Sequence, residues 1–542
     1  MYDEVEAMNR KIIYLLFLVG LAVLLGLICL GWAERAADPD PNLIRYALEQ
    51  EPASLDPAKS TTLPESTVEL QIFEGLTRLD KDNQPQPAAA RSWDISPDGK
   101  TYTFHLRQGM TWSNGDALTA QDFAYAWLRA LNPDTGADNA YMLYAIKNGE
   151  AYNSGKAPEN TVGIKVLDQE TLVVTLEEPT PYFLSLTAFH AYYPLDRKVV
   201  EAHPKDWASR PETLVGNGPY KMTAWKHSGD MHFVKNESYW DAKSVKTQAM
   251  YWPISESSST RLTLVEGGEA DLMVEPPSLD QDRLTKADLY KVSPMLGNYY
   301  YVFNVTAPPV NDPRVRKALS MVIDRKAIVD HVIHGGKSPA YAFIPPGMIE
   351  STTGKDFRQQ GGDYVEENIA QAKALLKEAG YDKNHPLPAI TILYNTNEMH
   401  KAVAEAVQER WKDTLGVDAI LQNQESKVFL ASRQEGRYQV ARASWVADFE
   451  DPINFLEVFS AEDNDSQYHN PAYNDLIASI KKTQDPSRRY QLMHQAEEMI
   501  FQDALVIPFY YTSQPYVVSP RLTGYFITNM GLIDFKGAYQ AY

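Results

Sequence analysis

Apolar and polar positions alternate over Leu43 to Ala47, Thr101 to Leu106, Thr171 to Leu176, Met231 to Val234 and Tyr299 to Phe303. A period of two puts successive side chains on opposite faces, so these stretches are predicted strands. Helical periodicity runs through Ala120 to Ala130, Arg314 to His334, Val365 to Ala379, His400 to Leu415, Pro471 to Thr483 and Ser487 to Gln502. End signals agree with several of these spans. Thr119 stands before Gln121-Asp122, Asn311-Asp312-Pro313 puts proline in a first helical turn, and Gly380 follows Lys377-Glu378-Ala379 as a stop. The mixture predicts an α/β chain, and the change from strand-rich to helix-rich pattern suggests a boundary near residue 297.

One hydrophobic stretch has a different scale. Asn9-Arg10-Lys11 precedes an uncharged, mainly apolar run from Ile12 to Ala33, long enough to cross a bilayer as a helix. Basic residues stay on the cytoplasmic side, so the remainder is expected outside. Residues 1–33 are therefore read as a membrane anchor or as a long signal peptide cut after Gly31-Trp32-Ala33. Cys29 would suit lipidation, but Ile28 precedes it where that processing takes a small residue, and an apolar cysteine within the helix is the preferred reading. Residues 34–42, with Pro39 and Pro41, read as a linker.

Composition then removes whole classes of function. With 71 acidic against 51 basic side chains the net charge is −20, which argues against nucleic acid as a partner. A single cysteine in 542 residues excludes an internal disulfide and the paired-cysteine redox and zinc patterns. Gly335-Gly336-Lys337-Ser338 resembles the end of a phosphate loop, but His331 stands where such a loop needs glycine, so a turn after a helix is expected. His331 and His334 share a helix face without a third ligand, and a solvated face is favoured over a metal site. Neither HExxH nor GxSxG occurs. Asp448, Glu450 and Asp451 could act as a carboxylate pair, although acidic residues near a turn ending in Pro452 are more often solvated.

Several stretches, read in order, resemble the oligopeptide-binding proteins of ABC importers, the extracytoplasmic solute-binding protein family 5. They are Glu51-Pro52-Ala53-Ser54-Leu55-Asp56-Pro57, Phe73-Glu74-Gly75-Leu76, Phe104-His105-Leu106-Arg107, Trp112-Ser113-Asn114-Gly115 and Thr119-Ala120-Gln121-Asp122-Phe123. Asn217-Gly218-Pro219-Tyr220, Tyr239-Trp240, Arg316-Lys317-Ala318-Leu319, Ile323-Asp324-Arg325 and Leu375 to Tyr381 follow. The resemblance implies a bilobal clamshell of the type II periplasmic-binding-protein fold with an extra third domain. Lobe one would comprise 43–73, 194–296 and 514–542, the extra domain 74–193, and the opposing lobe 297–513.

It also implies a non-enzymatic, monomeric receptor outside the cytoplasmic membrane that delivers short peptides to an ABC permease, without metal or cofactor. Arg442 to Phe449 resembles the segment that holds an extended peptide. Ala443, Ser444, Trp445 and Val446 would pair with its backbone, and Asp448 would meet its ammonium. Arg442, Arg433 and His400 are candidates for its carboxylate. Tyr299, Tyr300 and Tyr301 alternate at the lobe boundary, so at least one is expected in the cleft. Ser426, Glu275 and Asn139 stand where relatives carry tryptophan, asparagine and tyrosine, and Ile333 replaces a lysine, so the side-chain pockets are expected to differ. The alternatives are another ligand on the same scaffold (murein peptide, dipeptide or nickel), an exported hydrolase using the acidic cluster, and an envelope chaperone.

Overall fold

A computed structural model describes residues 42–333, 335–460 and 464–541, without the side chains of Ser426 and Lys427. The apolar run at 12–33, Cys29 and His334 lie outside the described residues. Among those described, no helix is long and apolar enough to cross a membrane. The same residues contain no group of His, Cys, Asp and Glu able to hold a metal ion.

In chain order the principal strands are β1 (Leu43–Ala47), β2 (Ala90–Ile95), β3 (Thr101–Leu106), β4 (Ile164–Asp168), β5 (Thr171–Thr175), β6 (Tyr220–Lys226) and β7 (Asp230–Lys235). They continue with β8 (Ala249–Pro253), β9 (Leu272–Val274), β10 (Tyr290–Phe303), β11 (Ile390–Asn395), β12 (Ala419–Gln424), β13 (Val440–Val446) and β14 (Val506–Val518). One 11-stranded mixed sheet has the order β12-β11-β13-β10-β14-β9-β1-β8-β7-β6, with Ser338–Pro339 added beside β14. A separate antiparallel sheet has the order β2-β3-β5-β4. Its inner face is covered by the amphipathic helix Ala120–Leu131, which buries Phe123, Trp127 and Leu131.

The centre of the large sheet is the antiparallel pair β10 and β14, bonded from Tyr290↔Val517 to Val302↔Val506 with register shifts at Pro294/Asn298 and Tyr299/Tyr300. The strand signal at Tyr299 to Phe303 thus marks only the last five residues of a 14-residue strand. Pro294 and Gly297 hide the earlier part, because they fall at the irregularity where the ladder has no fixed alternation.

Local signals decide the helix ends. Thr119 and Asp122 form a reciprocal capping box, and Asp312 caps the helix Pro313–Met321 with proline in its first turn. The single helix expected over 314–334 is in fact three pieces. Asp324 accepts from Ala327 N–H at 2.9 Å and starts a new helix, Arg325–Ile328, followed by a π turn over Val329–Ile333. Gly335 and Gly336 make the expected turn after it at φ 78° and 73°.

The motifs that carry the resemblance prove to be brackets. Glu65 accepts from the N–H groups of Ala53, Ser54, Thr61 and Thr62 at 2.8–3.1 Å, and Asp56 forms a bidentate pair with Arg129 at 2.9 and 2.6 Å. Glu74 receives the Tyr239 hydroxyl and Trp240 Nε1, and its backbone exchanges bonds with the Asn217 amide at 2.9 and 2.8 Å. A Cβ on Gly218 would lie 2.6 Å from the Ile72 carbonyl carbon, so only glycine allows this approach.

Gly297 has the same role at the centre of the sheet, where a Cβ would stand 2.9 Å from Trp445 O and collide with Thr512 Oγ1. Gly297→Ala is expected to cost about 1–3 kcal/mol of stability by overpacking, read from denaturant unfolding. Adding Thr512→Ala should recover only part of that loss, since the carbonyl remains.

Candidate functional site

β13 lies between two neighbours but uses them unequally. β11 pairs with it only at Val440 and Ala441, whereas β10 pairs along its whole length. Ala447 N–H donates to Leu296 O at 2.7 Å and Asn304 N–H to Gln439 O at 3.0 Å, which fixes the alternation of the ladder. Ala441, Ala443 and Trp445 exchange bonds with β10, and Arg442, Ser444 and Val446 turn their N–H and C=O groups to the far edge. From Arg442 onward that edge has no partner strand among the described residues. The expectation of four backbone-pairing residues is therefore corrected: Ser444 and Val446 have free backbone groups, while the sheet consumes those of Ala443 and Trp445.

Asp448 follows directly. Asn454 Nδ2 donates to its Oδ2 at 3.2 Å, and the Tyr141 hydroxyl donates to the same carboxylate. Burial, with the Glu457 charge adding to it, raises Asp448 to about 6 against these two donors. Two cavities meet at this carboxylate. One of about 400 Å³ is bounded by Thr62, Ser66, Asn139, His190, Val446 and Leu532. The other, of about 610 Å³, is bounded by Tyr144, Tyr182, Trp445, Phe449, Glu457 and Arg489. Tyr182 and Phe449 stack at 4.1 Å with planes 5° apart, which joins the segment carrying Tyr141 to the loop carrying Asp448.

The opposite end of the edge is cationic. Arg442 lies 5.2 Å over the Tyr299 ring and donates to Ser444 Oγ at 3.0 Å, while its buried Nε has no hydrogen-bond partner among the described residues. Tyr299 stacks on Tyr510 at 4.8 Å, and its hydroxyl stands 3.3 Å from His400 Nδ1. The other candidates differ from expectation. Arg433 pairs with Asp465 at 3.0 Å. Burial and the Arg442 charge push His400 down to about 3, so it is a neutral imidazole and no cation at neutral pH. Of the tyrosines only Tyr299 joins this group, because Tyr300 packs on Phe343 at 4.9 Å and Tyr301 on Phe509 at 4.7 Å within cores.

The remaining candidates scatter. Asn139 is buried and donates to Ser60 O at 2.6 Å while lining the smaller cavity. Glu275 is exposed at φ 49° and its charge bears on Tyr510, so it stands near the cationic end. Ser426 opens the helix Ser426–Gln434, and its side chain lies outside the described residues. Ile333 ends the π turn and is buried in the core.

The acidic cluster is neither solvated nor a carboxylate pair. Asp451 is buried in a bidentate pair with Arg489 at 2.7 and 2.9 Å. Glu450 accepts from Asn529 Nδ2 at 2.8 Å, and burial raises it to about 7. Sequence reasoning missed Asn454, Tyr141, Tyr510 and Tyr182. The only available signal was Asn454 itself, a polar residue just after the Pro452 turn.

The profile of the bacterial extracellular solute-binding proteins, family 5, matches residues 84–467. The dipeptide-binding protein DppE of Bacillus subtilis is 40% identical over 511 residues, 94% of each chain. The periplasmic murein peptide-binding protein MppA of Escherichia coli is 38% identical over 496 residues, 90% of each chain. Among solved structures, the Haemophilus influenzae OppA complex with RPPGFSPFR aligns with a TM-score of 0.76 at 34% identity, covering 93% of this chain and 99% of that one. The chain belongs to family 5 of the bacterial extracellular solute-binding proteins.

The state of Asp448 gives a pH expectation. An ammonium favours the carboxylate, so its pKa in a complex falls below the free value of about 6. Affinity for an amine-bearing ligand should therefore be full above that pH and fall by up to tenfold per unit below it. Calorimetry between pH 4.5 and 8 with a short peptide checks this, and a flat profile would contradict it.

Proposed function

We propose that this chain captures short peptides in extended form outside the cytoplasmic membrane and passes them to an ABC permease. The observation that carries the reading is the free edge at Ser444 and Val446, with an anionic group at one end and, at the other, a guanidinium that has no carboxylate partner among the described residues. A strand edge bonds any peptide backbone, whatever its side chains. Asp448 supplies the counter-charge without which burying an ammonium costs several kcal/mol, and Arg442 does the same for the carboxylate. The names of several relatives support it, as dipeptide-, oligopeptide- and murein peptide-binding proteins take ligands with peptide backbone, whereas one relative is named as a probable deoxycholate-binding protein.

In this reading 43–73, 194–296 and 514–542 form one lobe, 74–193 a domain packed on it, and 297–513 the opposing lobe. β10 and β14 run between the lobes and carry the hinge, so that closing brings Tyr141 and Tyr182 onto Asp448 and Phe449. The chain acts as a monomer without cofactor, held to or released from the membrane through residues 1–33. It is no hydrolase, and the ion pairing of Asp451 and the amide on Glu450 speak against an acid–base pair there.

Asp448→Ala should weaken peptide binding by about 2–5 kcal/mol, and acetylating the peptide amine should weaken wild type similarly. Acetylation should then matter little in the mutant, because the two changes delete one contact. Calorimetry on the four combinations tests the assignment, and additive losses would remove Asp448 from the amine. Mass spectrometry after prolonged incubation should return the peptide intact, whereas cleavage fragments would point to the hydrolase.

A further inference from the structure

Asn454 is 2% exposed and sits on the single-turn helix Ile453–Leu456. That turn is held in place by Asp451, whose Oδ1 accepts from Ile453 N–H at 3.0 Å while both its oxygens engage Arg489. From there Asn454 makes three bonds. Its Oδ1 accepts from Trp445 Nε1 at 2.8 Å and from Asp448 N–H at 3.1 Å, and its Nδ2 donates to Asp448 Oδ2 at 3.2 Å. A primary amide offers an acceptor with two lone pairs beside a donor. A carboxylate of the same shape would keep the accepted bonds and repel Asp448, and an aliphatic chain would take a partner from three half-buried polar groups.

The groups facing Asp448 come from several elements. Tyr141, on the turn Ala140–Leu143, donates to it, and Glu457, itself paired with Lys481 at 2.8 Å, opposes its ionisation. Arg489 is engaged by Asp451, and Glu450 by Asn529. Asp138 and neutral His190 border the smaller cavity, and Glu150, Glu177 and Glu178 the larger. Among the described residues, only Tyr141 and Asn454 therefore stabilise the carboxylate. Tyr141 is 48% exposed and belongs to a distant segment of the chain, whereas Asn454 is six residues from Asp448 and moves with it.

We infer that Asn454 is the positioning residue of the amine site: it aims the Asp448 carboxylate and holds it ionised against its own desolvation. The inference rests on the reading that Asp448 meets a peptide ammonium. Its consequence is a pH limb set by Asn454. Since the donated bond lowers the Asp448 pKa, removing it moves that limb to higher pH.

The test is the titration of Asp448 in the unliganded full chain, followed by carbon NMR on aspartate labelled at the carboxyl and assigned with Asp448→Asn. Wild type should titrate near 6. Asn454→Leu should titrate about one unit or more higher, and Asn454→Asp, which keeps the volume and the accepted bonds, should also rise. Trp445→Phe removes a different bond from the same amide and should leave the midpoint in place. With tetra-alanine as probe, Asn454→Leu should lose about tenfold more affinity at pH 5 than at pH 8. A structural defect would instead cost the same at both.

An unmoved midpoint in either folded Asn454 variant, or an equal shift in Trp445→Phe, overturns the assignment. Should Asp448→Ala bind tetra-alanine as wild type does, the peptide-amine reading fails, and the NMR midpoints still judge Asn454.

Discussion

The antiparallel pairing of β10 with β14 is the constraint on which the rest depends. Both strands are longer than any other in the sheet, and each joins one group of strands to another: β14 reaches β9 at Tyr516 to Val518, and β10 reaches β13 from Gly297 onward. Because β10 takes one edge of β13 and β11 takes only its first residues on the other, the second half of β13 keeps a free edge inside the protein. An unpaired edge is ordinarily an aggregation hazard. Here it is short, its Val446 end borders a cavity, and in the proposed function it is the place for one extended ligand. Gly297 at the crossing is what lets the three strands approach.

The chain carries a large negative charge, yet the site depends on how individual charges are engaged. Arg433, Arg489, Asp451 and Glu450 have protein partners within hydrogen-bonding distance. Among the described residues Arg442 has neutral partners, the Ser444 and Tyr299 hydroxyls and an aromatic face, and Asp448 has two neutral donors against strong desolvation. A neutral donor supports a carboxylate without cancelling it, which leaves the charge available to a cation. An ion-paired aspartate in the same place would have to give up its partner first. Paired charges hold the walls, and in the proposed function Arg442 and Asp448 are the charges that serve the ligand.

Legibility from sequence followed the range of the interaction. Strand alternation at Thr101 to Leu106 and the capping box at Thr119 are local, and both appear where the pattern places them. The family motifs were visible as motifs, but their work was not: Glu74, Asn217, Tyr239 and Trp240 lie up to 166 positions apart and form one bracket. The helix break at Asp324 was hidden because apolar periodicity continues through it. The neutral state of His400 depends on burial beside Arg442, and the fixing of Asp448 on an amide six residues away across a turn and a hydroxyl from Tyr141. Neither leaves a periodic trace.

Asp448 and Phe449 are consecutive, and each touches the segment that carries Tyr141 and Tyr182, one by a hydrogen bond and the other by ring stacking. The stack is apolar and indifferent to ligand charge, whereas the hydroxyl bond competes for the very oxygens an ammonium would use. The two contacts therefore respond differently to an occupant. Burial of flat rings favours approach of the two segments with or without ligand, while the carboxylate gains a stronger partner only when an amine arrives. A ligand shifts a conformational equilibrium only by its differential affinity for the two states. In the proposed function that difference would arise at Asp448, because a ligand ammonium would be enclosed by both segments only when they are together.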